Sequence, residues 1–157
     1  MTVKRLIKQV VYKKIYPLAR LYWFLVRPKT RGVKCLVKYK DKFLLVKLNY
    51  AHRRWTIPGG GVYRNESYFD AAVREIKEET GLDIKELVLI GKYNHVIEYK
   101  KDRVEVYFAE VLNDKLKIDL VEIKEANWFA RDTLPINRTP QTNAIFKLYD
   151  EYKSRGN

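Results

Sequence analysis

Between Trp55 and Leu82 the chain changes character twice, and that stretch restricts the folds open to it more than any other. Trp55-Thr56-Ile57-Pro58 reads as a short strand and runs directly into Gly59-Gly60-Gly61. Beyond a polar stretch, Phe69, Ala72, Val73 and Ile76 recur at i, i+3, i+4 and i+7, which predicts a helix over 68–80 with one apolar face. Ser67 or Asn65 is placed to cap its start, and Gly81 stands where a helix end takes a left-handed residue. A strand, a glycine turn and a one-sided helix need a sheet to pack against.

The same helix carries Glu75, Glu78 and Glu79 at i, i+3 and i+4, within an arc of about 100°. Like charges so spaced destabilise an isolated helix by roughly 0.2–0.5 kcal/mol per pair, and its C-terminal half disfavours anions. Stability alone does not select this pattern. One reading is a solvated face neutralised by Arg74, Lys77 and nearby lysines. The other is a set of hard oxygen donors for Mg²⁺ or Mn²⁺. The glycines allow positive φ and close approach of backbone to a phosphate or metal, although a tight turn would use them for geometry alone.

Around this stretch, alternation over 33–48, broken at Lys40-Asp41-Lys42, predicts a β-hairpin. Strands are expected over 84–98 with a break, over 103–112 after a turn at Lys100-Lys101-Asp102, and over Ala126–Phe129. Residues 113–125 read as a polar loop, and Pro140 to Lys153 as a closing helix with Ala144, Ile145, Leu148 and Tyr152 on one face. Strands interleaved with two helices predict an α/β fold with a mixed sheet between helices.

Charge sets the N-terminus apart. Of 32 basic residues against 19 acids, twelve fall in residues 1–40, which hold no acid. Ile7, Val11, Ile15, Leu18, Tyr22 and Leu25 recur at helical steps among them, with Pro17 expected to kink the run. The division expected is a basic amphipathic helical extension, 1–31, on a nearly neutral body, 32–157. Leu21 to Val26 is apolar all round, so part of it is expected to be buried. The extension suits docking on the body, an anionic membrane surface, or RNA phosphates, and the pattern does not choose among them.

Several classes are excluded. The lone Cys35 rules out an internal disulfide framework and a Cys-based zinc cage. No apolar run approaches the ~20 residues that span a bilayer, and the N-terminus lacks the h-region of a secretory signal. A cytoplasmic location is expected, with peripheral membrane contact left open.

Taken together, Gly60 to Leu82 resembles the Nudix box. That pattern is Gly, five residues, Glu, seven residues, Arg-Glu, an aliphatic, any residue, Glu-Glu, any residue, Gly and an aliphatic. The chain supplies Gly60, Glu66, Arg74, Glu75, Ile76, Glu78, Glu79, Gly81 and Leu82 at every spacing. Trp55-Thr56-Ile57-Pro58 and Glu125-Ala126-Asn127-Trp128-Phe129 also match the family's habits. The resemblance covers about residues 32–150 and leaves out 1–31.

The resemblance implies an α/β/α sandwich with a mixed β-sheet, and Mg²⁺- or Mn²⁺-dependent cleavage of a diphosphate linkage in a nucleoside diphosphate joined to another moiety. It implies metal ligation by Glu75, Glu78, Glu79 and the Gly59 carbonyl, with Glu66 and Arg74 in support. A further loop carboxylate often helps in this family, and Glu122, then Glu125, is expected to supply it. Gly60, Gly61, Arg53, Arg54 and Tyr99 are candidates for contact with the small nucleotide substrate. Tyr93, Tyr99 and Tyr107 are candidates for stacking on a base, while His95 reads as a strand residue. The family's ADP-ribose-specific members often show a Pro about fifteen residues past the box, where this chain has Ile97. Its dinucleoside polyphosphate hydrolases often show a Tyr, and Tyr99 stands seventeen past Leu82. Alternatives are an RNA 5′-end pyrophosphohydrolase whose basic arm holds RNA, and a non-catalytic nucleotide-binding module. A homodimer is left open.

Overall fold

The computed structural model describes residues 24–26, 28–49, 54–97 and 100–156. Most of the expected basic helix, residues 1–23 and Arg27, lies outside them. Phe24, Leu25 and Val26 are helical but exposed, at 50%, 71% and 52%, so the burial expected for this run is not found at these three positions.

Strand β1 (Lys29–Tyr39) turns at Lys40-Asp41 into β2 (Lys42–Leu48), as the alternation predicts. Then come β3 (Trp55–Thr56), helix α1 (Tyr68–Thr80), β4 (Val88–Ile97), β5 (Lys100–Glu110), β6 (Ile123–Ala130) and helix α2 (Pro140–Arg155). The sheet runs β3-β2-β1-β5-β4, with β6 also paired to β2. It is mixed because β1 and β5 are parallel, from Lys29 opposite Lys101 to Lys38 opposite Glu110, while the other pairs are antiparallel.

The two hairpin strands part early: β1 and β2 pair only at Lys38–Phe43 and Tyr39–Lys42. The edge of β1 so released is taken by the glycine segment. Cys35 N–H donates to Pro58 O (3.0 Å), Val33 N–H to Gly60 O (2.9 Å) and Val62 N–H to Arg31 O (3.0 Å).

Alternation along β1 divides the core. Val33, Cys35 and Val37 pack with Ala71, Ala72 and Ile76 of α1. Leu36 joins Ile145, Phe146 and Tyr149 of α2 on the other face. Each large side chain so buried contributes roughly 1.5–3 kcal/mol. Helix α1 matches its expected span. Ser67 Oγ accepts the Asp70 N–H at 3.0 Å, and Gly81, at φ 75°, donates its N–H to Lys77 O.

Three expectations shift. Lys100-Lys101-Asp102 is not a turn but the start of β5, because Lys101 and Asp102 pair with Lys29 and Thr30. β4 begins at Val88 rather than 84, since Ile84 and Leu87 pack on the α1 side of the core from a loop. β6 begins at Ile123, held to Leu48 of β2, so 123–125 leave the expected loop. Among the described residues, no helix is long and apolar enough to cross a membrane.

Candidate active site

The glycine segment and α1 meet along the released edge of β1. Gly59 has φ 132°, and a Cβ there would lie 2.3 Å from Val33 O, so only glycine fits. At Gly60 a Cβ would lie 2.6 Å from the Glu75 carboxylate. Two glycines therefore let the loop pass between β1 and the acidic face of α1.

Arg74 organises that face. Its Nε and Nη2 donate to the two oxygens of Glu66 at 2.7 and 2.9 Å, its Nη1 donates to Glu75 Oε1 (2.8 Å) and Glu78 Oε2 (3.1 Å), and Nη2 also reaches Gly61 O (2.9 Å). The guanidinium further stacks on the Tyr63 ring, 4.0 Å from its centroid. Hydrogen bonds from Arg74 and from the Tyr63 N–H hold Glu66 down at about 2, and the bonds that Arg74 gives to Glu66 and Glu75 keep it firmly cationic.

Glu79 points inward, 3% exposed, and accepts the Gly59 N–H at 2.9 Å. Burial pushes its carboxyl up to about 7 despite the pull of Lys34. Burial likewise raises Glu75, against Arg74. The charge of Glu122 is felt by both glutamates, whereas Glu125 accepts a hydrogen bond from Lys47 Nζ at 2.8 Å across the β2–β6 pair.

Sequence reasoning missed Lys34. It is half-buried as a residue, and its ammonium is enclosed, donating to Ile57 O (2.8 Å) and Gly59 O (3.1 Å), while burial lowers its pKa. The signal was present: at period two Lys34 shares the phase of buried Leu36. Lys34 opens onto a groove of about 1020 Å³ over the β1 and β5 ends. Lys29, Arg31, Arg54 and Arg64 give it a cationic wall, and Thr139-Pro140-Gln141 bring the N-terminus of α2 to it. Tyr93 faces this groove, but Tyr107 does not: it is buried in the core, its hydroxyl donating to Glu105 Oε2 at 2.9 Å. Arg53 and Tyr99 lie outside the described residues.

Among the described residues, no three acidic, His or Cys side chains converge into a ready-made metal cage. Arg74 engages one oxygen each of Glu75 and Glu78. The donor chemistry nonetheless fits a hard divalent cation, because Glu75 and Glu79 carry buried carboxyls whose charged forms lack sufficient compensation.

The fold and site define an α/β/α sandwich in which a loop–helix element presents carboxylates beside a cationic groove. The NUDIX domain model matches residues 28–152, and the chain belongs to that family of hydrolases. The ADP-ribose pyrophosphatase of Methanocaldococcus jannaschii is 33% identical over 142 residues, covering 84% of this chain and 78% of that protein. Nudix hydrolase 8 of Arabidopsis thaliana is 38% identical over 76 residues, and the match spans only 21% of its length. The crystal structure of a MutT NUDIX hydrolase from Burkholderia pseudomallei superposes with a TM-score of 0.71 at 25% identity, over 76% of this chain and 97% of that one.

Proposed function

We propose that this chain hydrolyses the diphosphate linkage of a nucleoside diphosphate joined to a second moiety, with Mg²⁺ or Mn²⁺. The observation that carries this reading is the pairing of two buried carboxyls, Glu75 and Glu79, held beside the glycine loop, with an adjoining cationic groove. Glu75, Glu78, Glu79, Glu122 and the Gly59 carbonyl would hold the cation. A cation held there would supply charge neutralisation at the diphosphate and a polarised water for attack at phosphorus. Arg74 fixes the carboxylates in register, and its bidentate grip on Glu66 ties the preceding loop to the helix. Lys29, Arg31, Arg54 and Arg64 draw the polyanion in and offset its charge. A carboxylate of the set takes the water's proton. The relative named for ADP-ribose supports the linkage class.

The test is phosphate release from nucleoside diphosphate sugars, dinucleotides and nucleoside triphosphates, with Mg²⁺ or Mn²⁺. At least one should turn over, and Glu78→Gln and Glu79→Gln should each remove most of that turnover while the protein stays folded. Either variant keeping near wild-type kcat at saturating Mg²⁺ refutes the ligand assignment.

A further inference from the structure

Gly32 lies within β1, opposite Val104 of β5, and the backbone does not require glycine there. Its φ is not positive, and a Cβ would sit at ordinary contact distances: 3.4 Å from Asp102 Oδ2, 3.5 Å from Gly60 O and 3.5 Å from Val104 Cγ2. Gly59 and Gly60 differ, since a Cβ on either collides. Glycine inside a strand weakens it and often marks close approach of a ligand or another backbone; here the Gly60–Gly61 backbone passes opposite Gly32 yet leaves room for a Cβ.

The space left by the missing Cβ is a notch in the groove floor, walled by a methyl group and two acceptor oxygens. Asp102 Oδ1 accepts the Thr30 hydroxyl at 2.8 Å while Oδ2 turns to Gly32. Gly60 O accepts the Val33 N–H at 2.9 Å, and a carbonyl can accept a second donor. Gly60 also backs onto the Glu75 carboxylate, so the notch is one residue away from the acidic face of α1.

Asp102 is an acid in a groove otherwise walled by Lys29, Arg31, Arg54 and Arg64. Two acceptors at one point repel a phosphate oxygen and call for a donor. A diphosphate ester has no proton to give, whereas the sugar beside it has hydroxyls. A diol lying over the bare Gly32 backbone could give one proton to Asp102 Oδ2 and the other to Gly60 O, an approach that a Cβ at residue 32 would obstruct.

We propose that Gly32, Asp102 and the Gly60 carbonyl form a notch that reads a vicinal diol on the sugar adjoining the diphosphate, with Asp102 the specificity-determining side chain. This rests on the reading of the groove as the diphosphate site.

Two matched pairs of probes separate the sources of such a diol. ADP-ribose against ADP methyl ester tests the distal sugar, and ATP against 2′,3′-dideoxy-ATP tests the nucleoside's own ribose. Affinities are measured by calorimetry on the full chain in EDTA, and turnover is followed separately with Mg²⁺. In at least one pair the wild type should favour the diol by about tenfold, the scale of one lost hydrogen bond. Gly32→Ala, which fills the notch at van der Waals distance, and Asp102→Ala should each level that pair while the melting temperature stays close to wild type. Thr30→Val removes a partner of Asp102 but not the carboxylate, and should keep the preference. Equal affinities within both pairs, binding of no probe, or a preference that survives Gly32→Ala would overturn the notch. Failure of the hydrolase reading shows differently, as a diol preference in binding with no turnover of any diphosphate.

Discussion

At alkaline pH without divalent cations, Glu79→Gln should stabilise the protein. Burial holds the Glu79 carboxyl at about 7, against an ordinary 4.5. A value raised in the folded state means that the folded chain binds this proton more tightly than the unfolded one. Stability is therefore greatest below about 4.5 and is lost as the pH rises through about 7. At ~1.36 kcal/mol per pH unit, the gap from 4.5 to about 7 caps the loss at about 3 kcal/mol. Glutamine removes the charge and keeps an oxygen for the Gly59 N–H. The pull of Lys34 is already contained in the value of about 7, so the gain above that pH approaches the cap, about 2–3 kcal/mol. For a chain of this size that is a rise of roughly 4–12 °C in Tm. Circular dichroism melts in EDTA, from about pH 5 to about pH 8, check it. The wild type should fall relative to the variant as pH rises, and Mg²⁺ should restore the wild type far more than Glu79→Gln. Parallel wild-type and variant curves across that range would refute the reasoning.

Arg74→Ala should lower the denaturant midpoint and cut turnover, because it leaves Glu66, Glu75 and Glu78 without the cation that holds them together, and a denaturant titration and a kcat measurement read the two effects. Gly60→Ala drives a methyl into the Glu75 carboxylate, so turnover should fall by about 10²-fold, in line with a small misplacement of a reacting group, in an assay at saturating Mg²⁺. Ser67→Ala removes the acceptor for the Asp70 N–H and should cost about 1 kcal/mol by the same titration, with kcat unchanged.

Helix α1 was legible because its determinants are local. The apolar stripe, the Ser67 cap and the Gly81 stop all lie within the stretch they specify. The start of β5 was not. Lys101 and Asp102 read as polar turn residues, and their partners Lys29 and Thr30 read as the tail of the basic extension. Only pairing between these distant segments makes either a strand. The box glutamates could be placed on one helix face from spacing alone, but their inequality could not: Glu79 is buried under Gly59 whereas Glu78 remains exposed. Likewise nothing local distinguishes Glu122 from Glu125, since the β2–β6 register sets Glu125 opposite Lys47. Alternation gave Tyr107 two faces to choose from, and packing against α1 chose the buried one.

The early parting of β1 and β2 has a dynamic consequence. Because Pro58 to Val62 complete the edge of β1, the loop that carries the glycines is stitched to the sheet as a strand would be. Moving it means breaking sheet hydrogen bonds, so the amides of Val33, Cys35 and Val62 should exchange with deuterium only on the wide openings that expose the core. The floor of the site is then as stiff as the sheet, and accommodation of different ligands falls to the side chains of Arg31, Arg54 and Arg64 along the rim.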